Sequence, residues 1–131
     1  MNLREAFDIS RTEVISLVGA GGKTTIMFRL ARELASGRGI VITSTTTKIL
    51  DSEPSLYGSP RLIVKKEEGE IMESVLQGME RHKHITIVSE RLPSLGKLKG
   101  ISPRIVERLA GLSQVSYIIL EADGAAHKSL K

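Results

Sequence analysis

A chain of 131 residues with 40% apolar and 26% charged side chains has the balance of one compact globular domain, which excludes disorder as its global state. Cysteine is absent, so there is no disulfide framework, thiol nucleophile or zinc–thiolate site. The net charge is +4, but two Tyr, two Phe and no Trp leave little surface for base stacking; nucleic acid is not expected as a partner, whereas a nucleotide would suit this charge equally well.

The first residues, Met1-Asn2-Leu3-Arg4-Glu5, lack the basic-then-apolar order of a secretory leader. Glu13 to Val18 then reads as a buried strand, and it runs into Gly19-Ala20-Gly21-Gly22-Lys23-Thr24-Thr25. Glycines let backbone N–H groups turn inward around an anion, and a helix N-terminus directly after them adds partial positive charge. Lys23 can reach the outer phosphates of a nucleotide, and the Thr24 hydroxyl can hold Mg²⁺. The spacing is shorter than G-x-x-x-x-G-K-[ST], whose first glycine would fall at Leu17. A dinucleotide loop, G-x-G-x-x-G, would need a third glycine at Thr24 and an acid near Thr43 or Ser44; both are missing, which favours a nucleoside triphosphate.

Lys23 to Ser36 is expected to be helical, with Ile26, Met27, Leu30, Ala31, Leu34 and Ala35 as its apolar stripe and Gly37 and Gly39 after its end. Gly39 to Ser44 is a second strand, ending in Thr43-Ser44-Thr45-Thr46-Thr47-Lys48. Threonine suits strands in any case. At the carboxyl end of strand two, however, the hydroxyls of Thr45 and Thr46 are candidate phosphate or metal contacts and Lys48 a candidate charge. Spacing does not decide which threonine points inward. Arg61 to Val64 is a third strand, and Glu67 to Arg81 a helix with Ile71, Val75, Leu76 and Met79 on one side. His82 and His84 flank Lys83 beside that helix end and are expected to be exposed.

Ile85 to Ser89 is a fourth strand, and Arg91 to Gly100 a loop in which Lys97 and Lys99 are candidate anion contacts. Ser102-Pro103 is an N-cap with proline at the first helical position, opening a helix that runs to about Ala110 and ends at Gly111. Val115 to Leu120 is a fifth strand. Its stretch Tyr117 to Leu120 is the longest uninterrupted apolar run, far below the ~20 residues of a membrane helix. No membrane association is expected, and the chain is read as cytoplasmic. Glu121-Ala122-Asp123-Gly124 follows. Glu121 comes directly off a core strand and is the expected metal partner of Thr24; Asp123, beside a glycine, is placed to orient water or contact substrate.

Four segments in this order, V-G-A-G-G-K-T-T, T-S-T-T-T-K-I, K-L-K-G-I-S-P and L-E-A-D-G-A, resemble the YqeC-like family of accessory proteins for selenium-dependent molybdenum hydroxylases. The resemblance runs from Leu3 to Lys131. It implies a role in maturation of a selenium- or molybdenum-containing enzyme, with that hydroxylase or its cofactor-assembly proteins as partners. Members of that family are longer, so the chain is similar to an N-terminal part of them. A more distant resemblance is to the central ATPase domain of Mur ligases, whose short G-T-x-G-K-T loop is similar to Gly19 to Thr24 and some of whose members carry E-A-D after a core strand. That likeness implies Lys23 on phosphate and Thr24 and Glu121 on Mg²⁺, in enzymes that activate a carboxylate as an acyl phosphate.

Alternating strands and helices predict an α/β chain with a mostly parallel sheet in three layers, of P-loop NTPase type, as one domain over 1–131. Strands one, two and five should end at the same edge, because all three motifs follow apolar strands and ligands in such sheets sit at the carboxyl ends. The functional expectation is ATP with Mg²⁺, held by Gly19, Ala20, Gly21, Gly22, Lys23, Thr24 and Thr25, with Lys23 and Asp123 serving any turnover. A nucleotide-gated chaperone or carrier without small-molecule catalysis is the rival from another class, and Mur-like carboxylate activation is a third reading.

Overall fold

The structure, a computed structural model, describes residues 12–18, 23–37, 39–50 and 59–122; the side chains of Lys23, Thr24 and Leu50 lie outside that description. In chain order the elements are β1 (Glu13–Leu17), α1 (Lys23–Ala35), β2 (Ile40–Thr45), β3 (Lys48–Leu50), β4 (Leu62–Val64) and α2 (Glu68–Gly78). There follow β5 (His84–Val88), β6 (Glu90–Leu92), a 3₁₀ turn (Pro93–Leu95), β7 (Lys97–Lys99), α3 (Pro103–Ala110) and β8 (Val115–Glu121). Among the described residues they form a five-stranded sheet in the order β1-β8-β2-β5-β4 and a three-stranded sheet in the order β3-β7-β6. Every pairing in the larger sheet is parallel, and both pairings in the smaller one are antiparallel.

The strands form because β-branched residues fill both faces of a sheet covered on two sides. On one face α1 packs Met27, Phe28 and Ala31 against Val41 of β2 and Ile119 of β8, with Ile15, Leu17, Leu30 and Leu34 around them. On the other face, Ile71 and Val75 of α2 and Ile105, Val106 and Leu109 of α3 cover Ile42, Ile85, Ile87, Ile118 and Leu120. The result is three layers. The chain moves from β1 to β2 across one face and returns from β4 through β5 to β8 across the other. Opposite directions on opposite faces give the crossovers a common hand, as connections between parallel strands require.

β1, β8 and β2 are neighbours and parallel, so their carboxyl ends share one edge, as the motif positions predicted. Ser102 accepts a hydrogen bond from the Ile105 backbone N–H at the start of α3, and Gly111 closes it. Ile26 is 55% exposed, and the buried stripe of α1 uses Phe28 instead, because residues 27, 28 and 31 share the face toward the sheet. Leu76 of α2 is also exposed. β1 is not covered on both faces: it is an edge strand, with Val14 43% and Val18 54% exposed.

Arg91 to Gly100 is not a loop, since it supplies parts of β6 and all of β7, and Lys48 belongs to β3. The reversal between β6 and β7 is made at Gly96, whose φ of 63° lies in the left-handed region that glycine enters without a Cβ clash. Ile49 and Leu98 of this small sheet are buried with Val88 at the end of β5, so its inner face rests on the main sheet. No helix among the described residues is long and apolar enough to cross a membrane.

Candidate functional site

β1, β8 and β2 deliver Leu17, Glu121 and Thr45 in one ladder row at the carboxyl edge. Side chains alternate along a strand, and Ile119 two residues earlier packs under α1, so Glu121 belongs to the α1 face of the sheet. Val41 sets the same face for Thr43 and Thr45. α1 begins at Lys23, a short connection after β1, and returns toward the amino edge, where the Lys83 ammonium donates to the Gly37 carbonyl at 2.9 Å. The N-terminus of α1, the end of β8 and the end of β2 therefore meet at one edge and on one face. The Glu121 Oε1 atom is shielded from solvent there.

The threonine run divides by strand alternation. Thr43 Oγ1 lies 2.8 Å from Thr86 Oγ1 and 3.0 Å from His84 Nε2, and the Ser44 hydroxyl donates to the Ile87 carbonyl, so both tie β2 to β5. The Thr45 hydroxyl donates to the Glu121 carbonyl at 3.0 Å and accepts from the Thr47 N–H at 3.1 Å, closing the turn after β2. The Thr46 N–H donates to the same Glu121 carbonyl at 3.1 Å. The Thr46 hydroxyl is shielded from solvent and has no hydrogen-bond partner among the described residues. Within the run, Thr46 is thus the hydroxyl with unused capacity, a distinction that spacing alone could not make.

The segment after β7 is sewn onto this edge. The Gly100 N–H donates to the Thr47 carbonyl at 2.8 Å and the Ile101 N–H to the Thr45 carbonyl at 3.1 Å. In the small sheet Lys48 of β3 stands opposite Lys99 of β7, and Lys99 opposite Glu90 of β6.

His84 was expected to be exposed and is not: it is the first residue of β5, ladder partner of Val41, and only 5% exposed. Its ring lies 5.9 Å from that of Phe28, and burial pushes its pKa down from 6.5 to about 4. The hydroxyl chain continues from Thr86 to Ser59 at 2.6 Å. His84, with Arg32, Ser36 and Lys83, lines a cavity of about 300 Å³ at the amino edge, away from the carboxyl-edge groups. Sequence reasoning missed this polar chain. The alternation His84-Ile85-Thr86-Ile87 carries its signal, one polar side in a strand whose other side is apolar.

Of the residues expected in the site, Glu121, Thr45 and Thr46 come together, with Lys48 beside them on the small sheet. Thr25 lies half-buried in the first turn of α1. Lys23 and Thr24 open that helix by backbone position. Gly19, Ala20, Gly21, Gly22 and Asp123 lie outside the described residues, as do the side chains of Lys23 and Thr24. Among the described residues no three His, Cys, Asp or Glu side chains converge as a metal cage.

An open parallel sheet with helices on both faces and polar side chains gathered where its strands end is a doubly wound α/β protein, a class whose ligands sit at that edge. The chain belongs to the YqeC family, whose model matches residues 15–131. It is similar to an Escherichia coli (strain K12) protein that carries the name "Uncharacterized protein YqeC", with 30% identity over 125 residues. That alignment takes in 92% of this chain and 44% of the relative, so the chain spans less than half the length of the curated relative it matches. No solved structure matches it.

Proposed function

We propose that the chain is a P-loop-type protein that binds ATP with Mg²⁺ and serves the maturation of a selenium-containing molybdenum hydroxylase. The observation that carries the nucleotide part is the meeting, at one sheet edge and on one face, of the α1 N-terminus and the end of β8 at Glu121. Gly19 to Gly22 lie between β1 and that helix in the sequence, and their backbone N–H groups, with the helix dipole, are assigned to the phosphates. Lys23 is assigned to the outer phosphates. The maturation role rests on the family resemblance.

The donor set fits a hard cation. Glu121 presents a carboxylate with one oxygen out of solvent, and Thr46 a hydroxyl with spare capacity. Mg²⁺ takes one or two carboxylates and completes its shell with water and phosphate oxygens. Glu121 and the Thr24 hydroxyl are the residues assigned to hold it. When bound, such an ion neutralises charge on the outer phosphates. Asp123, two residues past the sheet, is assigned to the acceptor or to an attacking water.

Calorimetric titration of ATP in the presence of Mg²⁺ tests this reading. The wild-type chain should bind, and Lys23→Ala should weaken binding by about 1.5–3 kcal/mol, the scale of a charged hydrogen bond, with an unchanged melting temperature of the ligand-free protein. Equal affinity in the two proteins defeats the phosphate-loop assignment.

A further inference from the structure

We infer that Lys48 and Lys99 form a second anion site, distinct from the one at the α1 N-terminus, that receives a carboxylate or phosphate group of an acceptor substrate. The acceptor role rests on the nucleotide reading above; the anion site rests on the geometry of the small sheet.

Lys48 and Lys99 are direct ladder partners in the antiparallel pair β3–β7, so their side chains leave the same face of that sheet. Like charges directly opposite one another destabilise a sheet. Lysines are common on exposed edge strands, where they block edge-to-edge pairing. Lys99 has no such duty, because β7 is the middle strand of β3-β7-β6. The opposite charge on its other side, Glu90, is engaged by Lys66 at 3.4 Å. Among the described residues neither Lys48 nor Lys99 makes an ion pair. Lys48 and Lys99 thus bring two ammonium groups to one face beside a Glu90 carboxylate already shared with Lys66, and such a pair matches an oxyanion, which can accept from both.

Their position is fixed. Lys48 follows Thr47 and Lys99 precedes Gly100, and the Gly100 N–H to Thr47 carbonyl bond locks the two residues together at the carboxyl edge. The buried, unpartnered Thr46 hydroxyl lies two residues before Lys48. Lys48 follows β2, whereas the phosphate loop follows β1, and β8 with Glu121 runs between them. Two strand spacings, roughly 10 Å, separate those strand ends. An anion on the lysine pair is thus a different group from the one at the helix N-terminus.

The test uses reductively ¹³C-methylated protein, which keeps the lysine charges, titrated with inorganic phosphate and with acetate at constant ionic strength. Peaks of Lys48 and Lys99 are assigned with Lys48→Gln and Lys99→Gln. Saturable shifts at both lysines with one of the anions, weakened at least fivefold at the remaining lysine in each variant, support the site. Lys97→Gln, on the same face but outside the pair, should change the affinity less than twofold. Shifts that match a sodium chloride control, or an equal loss in Lys97→Gln, overturn the proposal, because a diffuse field rather than a site then attracts the anion. Saturating Mg²⁺–ATP should leave the titration intact. Displacement of the anion by Mg²⁺–ATP overturns the separate site while leaving the nucleotide reading in place. Absence of ATP binding in wild-type protein removes the nucleotide reading instead, and the lysine titration still decides the anion site.

Discussion

Gly100 and Thr45 touch where no side chain fits: a Cβ built on Gly100 would stand 1.8 Å from the Thr45 carbonyl oxygen. The contact joins the end of β7 to the end of β2, and the adjacent Ile101 N–H donates to that same oxygen. Because the obstacle is backbone, relief requires moving one of the two strand ends. Gly100→Ala should therefore cost about 1–3 kcal/mol, the range for overpacking a filled interior. Urea unfolding of the two proteins measures it, and a loss below about 0.5 kcal/mol would mean that the strand ends part easily.

Stability should depend on pH through His84. Its folded pKa is about 4 against 6.5 in the unfolded chain. Between those values the unfolded chain binds a proton that the folded one refuses. Stability is thus fully present above pH 6.5, falls as the pH drops through this window, and loses nothing more from His84 below about pH 4. The full effect is at most about 3.5 kcal/mol. Urea midpoints from pH 7.5 to 4.5 should fall more steeply for the wild type than for His84→Gln; parallel profiles would show that the histidine is not the cause.

The ion pairs between α2 and α3 should matter little. Glu68 accepts from Arg104 Nε at 3.1 Å and from Arg108, but both arginines are largely in solvent. Glu68→Ala should cost at most about 1 kcal/mol, as exposed pairs do. Ile71→Ala, one turn further along the same helix and fully buried, should cost about 2–5 kcal/mol. Chemical denaturation of both variants ranks them, and the reverse order would make electrostatics the main attachment of α3.

The two acids should separate by readout. A metal ligand acts in the bound ground state, so Glu121→Gln should abolish the Mg²⁺ dependence of nucleotide affinity. A group used only in the reaction shows in rate, so Asp123→Asn should keep that dependence and lower any turnover. Nucleotide titrations with and without Mg²⁺ decide it. Loss of the metal effect in Asp123→Asn alone reverses the assignment, and its survival in both moves the metal toward the threonine run.

The α/β alternation, the parallel character of the main sheet and the shared edge of strands one, two and five were legible in the residues alone. These follow from local signals: β-branched runs of strand length, the Ser102-Pro103 start of α3, and polar residues placed immediately after apolar strands. Which side chain faces what was decided by register. Thr43, Ser44, Thr45 and Thr46 look alike in sequence, yet strand alternation and the positions of β5 and β8 commit the first three hydroxyls to the fold and leave Thr46 unspent. His84 is buried because Val41 is its ladder partner beneath α1, a relation between residues far apart in the chain. The small sheet was invisible for the same reason. Strands as short as β3, β6 and β7 carry almost no periodicity, and it is pairing between distant segments, together with the rest of Ile49 and Leu98 on Val88, that makes them strands and sets Lys48 against Lys99.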